Sequence, residues 1–324
     1  MTAYQFRALA VFMMLLAGGA IRQSTAADTA PNRECRAAAA YKGDGGVDFD
    51  KLEADSAIAV CQKALAEAPD DLFILAIYGR ALMKAGREAE ALGAIRKSAD
   101  GGNPMGQRML ANRYENGEGV PKDIAKAAAL YRQAAEQAFP MAQLDLGRVY
   151  QNGIGVNEDY AEGVRWYRKA AEAGLDLAQK QLGLCYLNGW GVAKDAEEAV
   201  RWFRRAAEQG DRDGQAYLGR AYGLGQGGAA DDVEAARWYR LAAEQGLTQA
   251  QIVLARMYEV GQGVKQDSSE AIKWYKRAAQ RGNPDAQASL GDIYFYGRTD
   301  VPRDDAEALK WYQLAAAGFA KHGR

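Results

Sequence analysis

Residues 175–210 read LDLAQKQLGLCYLNGWGVAKDAEEAVRWFRRAAEQG, and the pattern occurs six times in the 324-residue chain. Tyr114, Tyr150, Tyr186, Tyr222, Tyr258 and Tyr294 are each 36 residues apart, and Leu110, Leu146, Leu182, Leu218, Leu254 and Leu290 keep the same step. So do Trp166, Trp202, Trp238 and Trp274, while Trp311 comes one residue late, after a one-residue insertion within 298–301. A fixed period of this length marks a solenoid, in which each unit buries its apolar face against its neighbours.

Each unit opens with a short helix, here called helix A. Asn103-Pro104 and Asn283-Pro284 place a capping side chain before a proline at the first helical position, where the missing N–H costs nothing. Ala178, Leu182, Gly183 and Tyr186 recur at helical spacing and mark a buried stripe. The Gly183 column is Gly or Ala in all six copies, which lets another helix approach closely. Helix A ends in a G-x-G-V loop at Gly117/Gly119, Gly153/Gly155, Gly189/Gly191 and Gly261/Gly263. Glycine supplies the positive φ that stops a helix. A phosphate loop is the other reading, but the motif recurs at every turn and no P-loop lysine follows it.

An aspartate comes next, at 123, 159, 195, 231, 267 and 304, and in five copies a glutamate follows three residues later. That is capping-box spacing and predicts the start of a second helix, helix B. Six aligned caps explain these carboxylates better than one acid/base pair does. The same glutamates stand three residues before Arg165, Arg201, Arg237, Lys273 and Lys310, a spacing for surface ion pairs. Helix B carries the aromatic pairs Trp166-Tyr167, Trp202-Phe203, Trp238-Tyr239, Trp274-Tyr275 and Trp311-Tyr312 on its buried stripe, followed by a double alanine that lets the next unit dock. Arg204 reads as off that stripe and free of structural duty.

The motifs A-x-x-x-L-G-x-x-Y, G-x-G-V, the aspartate and W-Y-x-x-A-A-E-x-G resemble the Sel-one-like repeat (SLR) family, a slightly longer relative of the tetratricopeptide repeat. The resemblance covers 103–318. It departs from the pattern at Leu130 and Ala138 in the first copy, Gly228 in the fourth, and Thr299 and Ala317 in the sixth. It implies an all-α fold, a right-handed α/α superhelical solenoid of antiparallel helix pairs, with helix A lining an inner groove.

Around the repeats, Met1–Ala26 reads as an export signal: Arg7, an apolar run over 8–20, then Ser24-Thr25-Ala26 at the cleavage position. The run is too short to favour a membrane span, and no cysteine follows it at a lipidation position. The expectation is a periplasmic or secreted protein without stable membrane insertion, an uncleaved anchor being the alternative. Residues 33–102 have a different period. Ala57, Cys61, Ala64 and Pro69, then Leu75, Gly79, Leu82, Ala91 and Ile95, fit tetratricopeptide-like hairpins that cap the repeats, with Gly43-Asp44-Gly45-Gly46 as a loop. Residues 319–324 read as a short tail. A disulfide between Cys35 and Cys61 is expected, since both lie in the N-terminal hairpin and export favours oxidation.

Loss of residues 1–26 removes Arg7 and Arg22 and no acidic residue, so 41 Lys+Arg become 39 against 42 Asp+Glu and the mature charge is about −3. That balance offers no footprint for nucleic acid or anionic lipid. The single histidine, His322, lies three residues from the end, which leaves no Ser-His-Asp or Cys-His catalysis and no histidine-based zinc site. Cys185 has no partner base and reads as a packed thiol. No catalytic, cofactor-binding or metal-ligating residue is therefore expected.

What remains is surface. On helix A the outward positions that differ between repeats include Arg148, Tyr217, Arg220, Arg256 and Asp292, and Trp190 sits in a G-W-G loop. These are the candidate partner-binding residues, with an acidic peptide or protein face as the expected ligand. The resemblance implies a protein-interaction scaffold, in envelope assembly or signalling. The alternative it allows is a β-lactam-binding or hydrolysing enzyme of the cysteine-rich SLR type, whose hallmark is a cysteine pair in each repeat. This chain has one cysteine in six repeats.

Overall fold

The structure is a computed structural model that describes residues 29–39, 52–298 and 300–321. The export-signal stretch, the 43–46 loop, Thr299 and His322 lie outside the described residues. Two compact units divide between Asp123 and Ile124, inside the first repeat.

The first unit holds α1 (Ala30–Ala39), α2 (Ala54–Glu67), α3 (Leu72–Lys84), α4 (Glu88–Asp100) and α5 (Pro104–Asn116). Its core is apolar side chains from α2, α3 and α4, among them Ile74, Ile77, Leu82 and Ile95. Cys35 of α1 and Cys61 of α2 are joined by a disulfide, with Cα atoms 4.7 Å apart. Arg80, almost fully buried, donates to the carbonyl of Ala39 at the end of α1. Buried Arg113 of α5 pairs with Glu88 at 2.6 Å, so its charge is not left uncompensated.

The second unit holds α6 (Ile124–Glu136), α7 (Pro140–Gln151), α8 (Tyr160–Glu172), α9 (Asp176–Asn188), α10 (Ala196–Glu208), α11 (Arg212–Leu224), α12 (Asp232–Glu244), α13 (Thr248–Val260), α14 (Ser268–Gln280), α15 (Pro284–Tyr296) and α16 (Asp305–Lys321). Each helix packs on the next, and A helices (α7, α9, α11, α13, α15) alternate with B helices (α8, α10, α12, α14, α16). Among the described residues there is no strand beyond an isolated bridge between Arg298 and Val301. This is the expected all-α solenoid of helix pairs.

The repeated residues hold one another. A Cβ built on Gly147, Gly183 or Gly291 would fall 2.5–2.6 Å from the ring of Tyr167, Phe203 or Tyr312, so the small column on helix A seats the second aromatic of helix B. Gly155, Gly191 and Gly263 combine positive φ with a backbone approach to Ile124, Tyr160 and Asp232 that leaves no room for a side chain. The G-x-G loop is thus a packing device.

The aspartate caps form in half the expected way. Asp159, Asp195, Asp231 and Asp267 each accept from the backbone N–H three residues on. The reciprocal glutamate bond of a full capping box is absent, because the cap's own N–H already donates to a tyrosine carbonyl of helix A: Asp159 to Tyr150, Asp195 to Tyr186, Asp231 to Tyr222 and Asp267 to Tyr258. The glutamates turn outward and pair with Arg165, Arg201, Arg237, Lys273 and Lys310.

Residues 319–321 are not a tail. Gly174, Gly210, Gly246 and Gly282 end their helices at positive φ, whereas Gly318 keeps helical geometry beside Pro284 and α16 runs on to Lys321.

Candidate partner-binding face

Two ladders that the motif reading missed fix the positions of the A helices. Gln143, Gln179, Gln215, Gln251 and Gln287 are buried, and each donates to the carbonyl of the second alanine of the preceding B helix, at 3.0–3.3 Å. Each of these helix-end carbonyls already accepts from the backbone N–H three residues on, and the glutamine takes its second lone pair, which satisfies the buried amide itself. Gln209 and Gln245 reach back to complete Gln179 and Gln215 through their Oε1 atoms. Arg281 occupies that column next and donates to Gly246 instead, and Ala317 follows; the Oε1 atoms of Gln251 and Gln287 have no partner. The signal was legible: position 107 and every 36th residue to 287 is glutamine.

The second ladder ties helix B to the tyrosine column. Arg132 donates to Tyr150 and Arg168 to Tyr186 at 2.7 Å, Arg204 to Tyr222 at 2.9 Å, and Arg240 to Tyr258. Arg204 lies off the buried stripe as read, but it is not free of structural duty. Its aliphatic stem leaves the buried stripe, but its guanidinium spans to the next helix.

Of the helix-B tryptophans Trp166, Trp202 and Trp274 are buried and Trp238 and Trp311 half-buried; the indole N–H of Trp166, Trp202, Trp238 and Trp274 has no partner, while Trp311 donates to Glu307 at 2.9 Å. Cations cover the rings instead, Lys169 over Trp166 at 3.9 Å and Arg205 over Trp202 at 4.5 Å. Cys185 is buried, and burial pushes its thiol up to about 12. Among the described residues no group of three or more His, Cys, Asp or Glu could hold a metal, and no helix is long and apolar enough to cross a membrane.

The predicted surface residues fall into distinct environments. Arg220 and Arg256 are exposed, stand one repeat apart on α11 and α13, and make no ion pair among the described residues. Arg148, half-buried, lies over the Tyr131 ring at 6.0 Å. Asp292 accepts from the Tyr312 hydroxyl at 2.7 Å. Tyr217 stacks on Phe203, ring centroids 5.1 Å apart. Trp190 is 40% exposed and stands at the loop edge, away from the helix-A residues.

Grooves open between consecutive A helices, over the ring of the intervening B helix. One of about 180 Å³ lies between α7 and α9, lined by Arg148, Tyr167 and Lys180. A larger one of about 740 Å³ lies between α11 and α13, lined by Tyr217, Arg220, Gly223, Tyr239 and Val253 among others. Two of the predicted residues, Tyr217 and Arg220, thus share one groove.

The chain belongs to the Sel1 repeat family: the family model matches six consecutive stretches, 104–139, 140–175, 176–211, 212–247, 248–283 and 284–318. Sel1 repeats generally serve as protein-interaction scaffolds. The chain is similar to a protective antigen of uropathogenic Escherichia coli strains displaying an SLR fold, with 34% identity over 86% of this chain and a TM-score of 0.72. It spans 58% of that protein's length. It is also similar to a Sel1 repeat protein from Oxalobacter formigenes, with 39% identity, a TM-score of 0.67, and coverage of 75% of this chain and 99% of the other. No curated protein matches the chain.

Proposed function

We propose that the chain is an exported, non-enzymatic scaffold that holds an acidic peptide or protein face against its helix-A surface. The observation that carries this reading is the pair Arg220 and Arg256: exposed, without an ion pair among the described residues, and aligned one repeat apart, with Arg220 lining the larger groove. Unpaired arginines suit bidentate contacts to carboxylates. The apolar run and small residues of 1–26 support export to the periplasm or beyond, and the Cys35–Cys61 bond fits an oxidising compartment. Envelope assembly or signalling is the setting such a scaffold would serve. The β-lactam reading has less support, because the lone repeat cysteine, Cys185, is a buried thiol held protonated by its surroundings.

The test is a pull-down from envelope extract with the mature protein and with the double variant Arg220→Glu/Arg256→Glu. The expected result is a partner retained by the wild type and lost by the variant at an unchanged unfolding midpoint. Equal retention would move the site off this face, to the loop edge at Trp190.

A further inference from the structure

The second aromatic of helix B lines both grooves, Tyr167 the smaller and Tyr239 the larger, and the repeats treat that ring differently. Between α7 and α9 the Tyr167 hydroxyl donates to Gln151 at 2.7 Å. Between α9 and α11 the ring of Phe203 is covered by Tyr217, and Leu187 packs on the same cluster. Between α13 and α15 the Tyr275 hydroxyl donates to Glu259 at 3.2 Å, and Arg298 locks Glu259 in place at 2.6 Å. The accepting residue of each tyrosine is sixteen positions before it, Gln151 and Glu259, and Leu187 holds that position in the Phe203 cluster.

Between α11 and α13 that position is Gly223. Nothing there can cover Tyr239 or accept from it, and the Tyr239 hydroxyl makes no hydrogen bond among the described residues. The absent side chain leaves the 740 Å³ groove, within the range of about 300–1,000 Å³ that binding pockets occupy. Its walls include Leu224, Leu247 and Val253. Its two carboxylates are already engaged, Asp213 by Lys180 at 3.2 Å and Asp232 by Gln262 at 2.9 Å. The one lining cation, Arg220, is not. The groove's unspent capacity thus includes the Arg220 charge, the Tyr239 phenol on its floor and apolar walls, with the Tyr217 hydroxyl and Gln249 also in the lining.

We infer that this groove is the specificity pocket of the binding face: it receives a bulky apolar side chain of a partner peptide, with a neighbouring carboxylate held by Arg220 and the Tyr239 hydroxyl. The inference rests on the scaffold reading above and deepens it. Substitution at Gly223 is a clean probe. A Cβ there would meet only the Cβ of Ala235, at an ordinary 3.6 Å, and the φ is not positive. Gly223→Gln recreates the Gln151–Tyr167 arrangement and fills the groove without charge; Gly223→Glu recreates Glu259–Tyr275 and also offers Arg220 an internal partner.

A random heptapeptide phage library panned on the mature protein and counter-selected on Gly223→Gln provides the test. Recovered peptides should carry a large apolar residue next to Asp or Glu. By fluorescence polarisation they should bind at least tenfold more weakly to Gly223→Gln, Gly223→Glu and Arg220→Glu, with unfolding midpoints unchanged. Arg148→Glu should leave binding intact. Peptides without that pairing, or peptides that bind Gly223→Gln as they bind wild type, overturn the inference, as does an empty counter-selection. If a pulled-down partner survives Gly223→Glu but is lost on Arg220→Glu/Arg256→Glu, the pocket is wrong and the scaffold reading stands. If no partner depends on either, both fall.

Discussion

Gly183 lies directly beneath the Phe203 ring: a Cβ placed on the glycine would sit 2.6 Å from Cε1. The contact joins helix A to helix B within one repeat, and it recurs at Gly147 with Tyr167 and at Gly291 with Tyr312. Gly183→Val should therefore cost about 1–3 kcal/mol, since overpacking forces the ring or the backbone to shift. Gly93, inside α4 with nothing within 4 Å of an added Cβ, is the control. Gly93→Ala should stabilise by about 0.5–1 kcal/mol through helix propensity. Urea midpoints of the two variants should move in opposite directions.

Trp202 is 6% exposed, with Arg205 over its ring. Trp202→Ala should cost about 3–5 kcal/mol by leaving a cavity at a repeat junction. Arg204, two residues on, holds Tyr222 from an exposed position. Arg204→Ala should cost about 0.5–1.5 kcal/mol, the net worth of a hydrogen bond, and Tyr222→Phe should abolish most of that difference. A double-mutant cycle with no coupling between 204 and 222 would falsify the ladder.

The fold was legible because apolar periodicity and repeat length act together. Six copies of Leu182 and of the Gly or Ala beside it fix which face is buried, and the glycine loops fix where helices end. Polar ladders were harder to read. Gln179 and Arg204 look like surface residues in one repeat, and only their columns betray them, since a buried amide recurs when every repeat presents the same helix-end carbonyl with a lone pair to spare. Of the outward residues picked from the sequence, Tyr217 and Arg220 share a groove. The groove itself arises from Gly223, a residue that carries no chemistry. It becomes visible only when Gln151 and Glu259, at the same position in their repeats, are seen bonding their tyrosines.

The glutamine ladder has unequal rungs. Gln179 donates to Ala171 and accepts from Gln209, while Gln251 donates to Ala243 and its Oε1 accepts nothing. Gln179→Met removes two hydrogen bonds, one given to Ala171 and one received from Gln209; Gln251→Met removes only the one given to Ala243 and relieves an unsatisfied oxygen, and both carbonyls keep their backbone donors, Gly174 and Gly246. Both should destabilise, the first by about 1–3 kcal/mol and the second by measurably less, on thermal or urea unfolding. Equal losses would mean that the Gln209 contact contributes nothing.

Asp211 caps α11 by accepting from the Gly214 N–H, and it stands apart from the other caps in its burial. Burial raises its carboxyl above the usual range, against the lowering effects of the Gly214 hydrogen bond and of Lys180. A raised value means that the folded state binds this proton more tightly than the unfolded chain does. The group's contribution is then fully present below the unfolded carboxyl range and is lost as pH rises through the folded value. At neutral pH the folded protein therefore carries a desolvated charge that asparagine would not. Asn103 and Asn283 show that asparagine caps this same column, each accepting from the N–H three residues on. Asp211→Asn should be the more stable protein at pH 7, and its advantage should shrink as pH falls into the carboxylate range, where wild-type Asp211 takes up its own proton. Urea midpoints of both proteins from pH 7 down to pH 4 measure the gap. A gap that is constant with pH, or that favours wild type at pH 7, would show that the charge–amide bond at Gly214 outweighs the cost of burying the carboxylate.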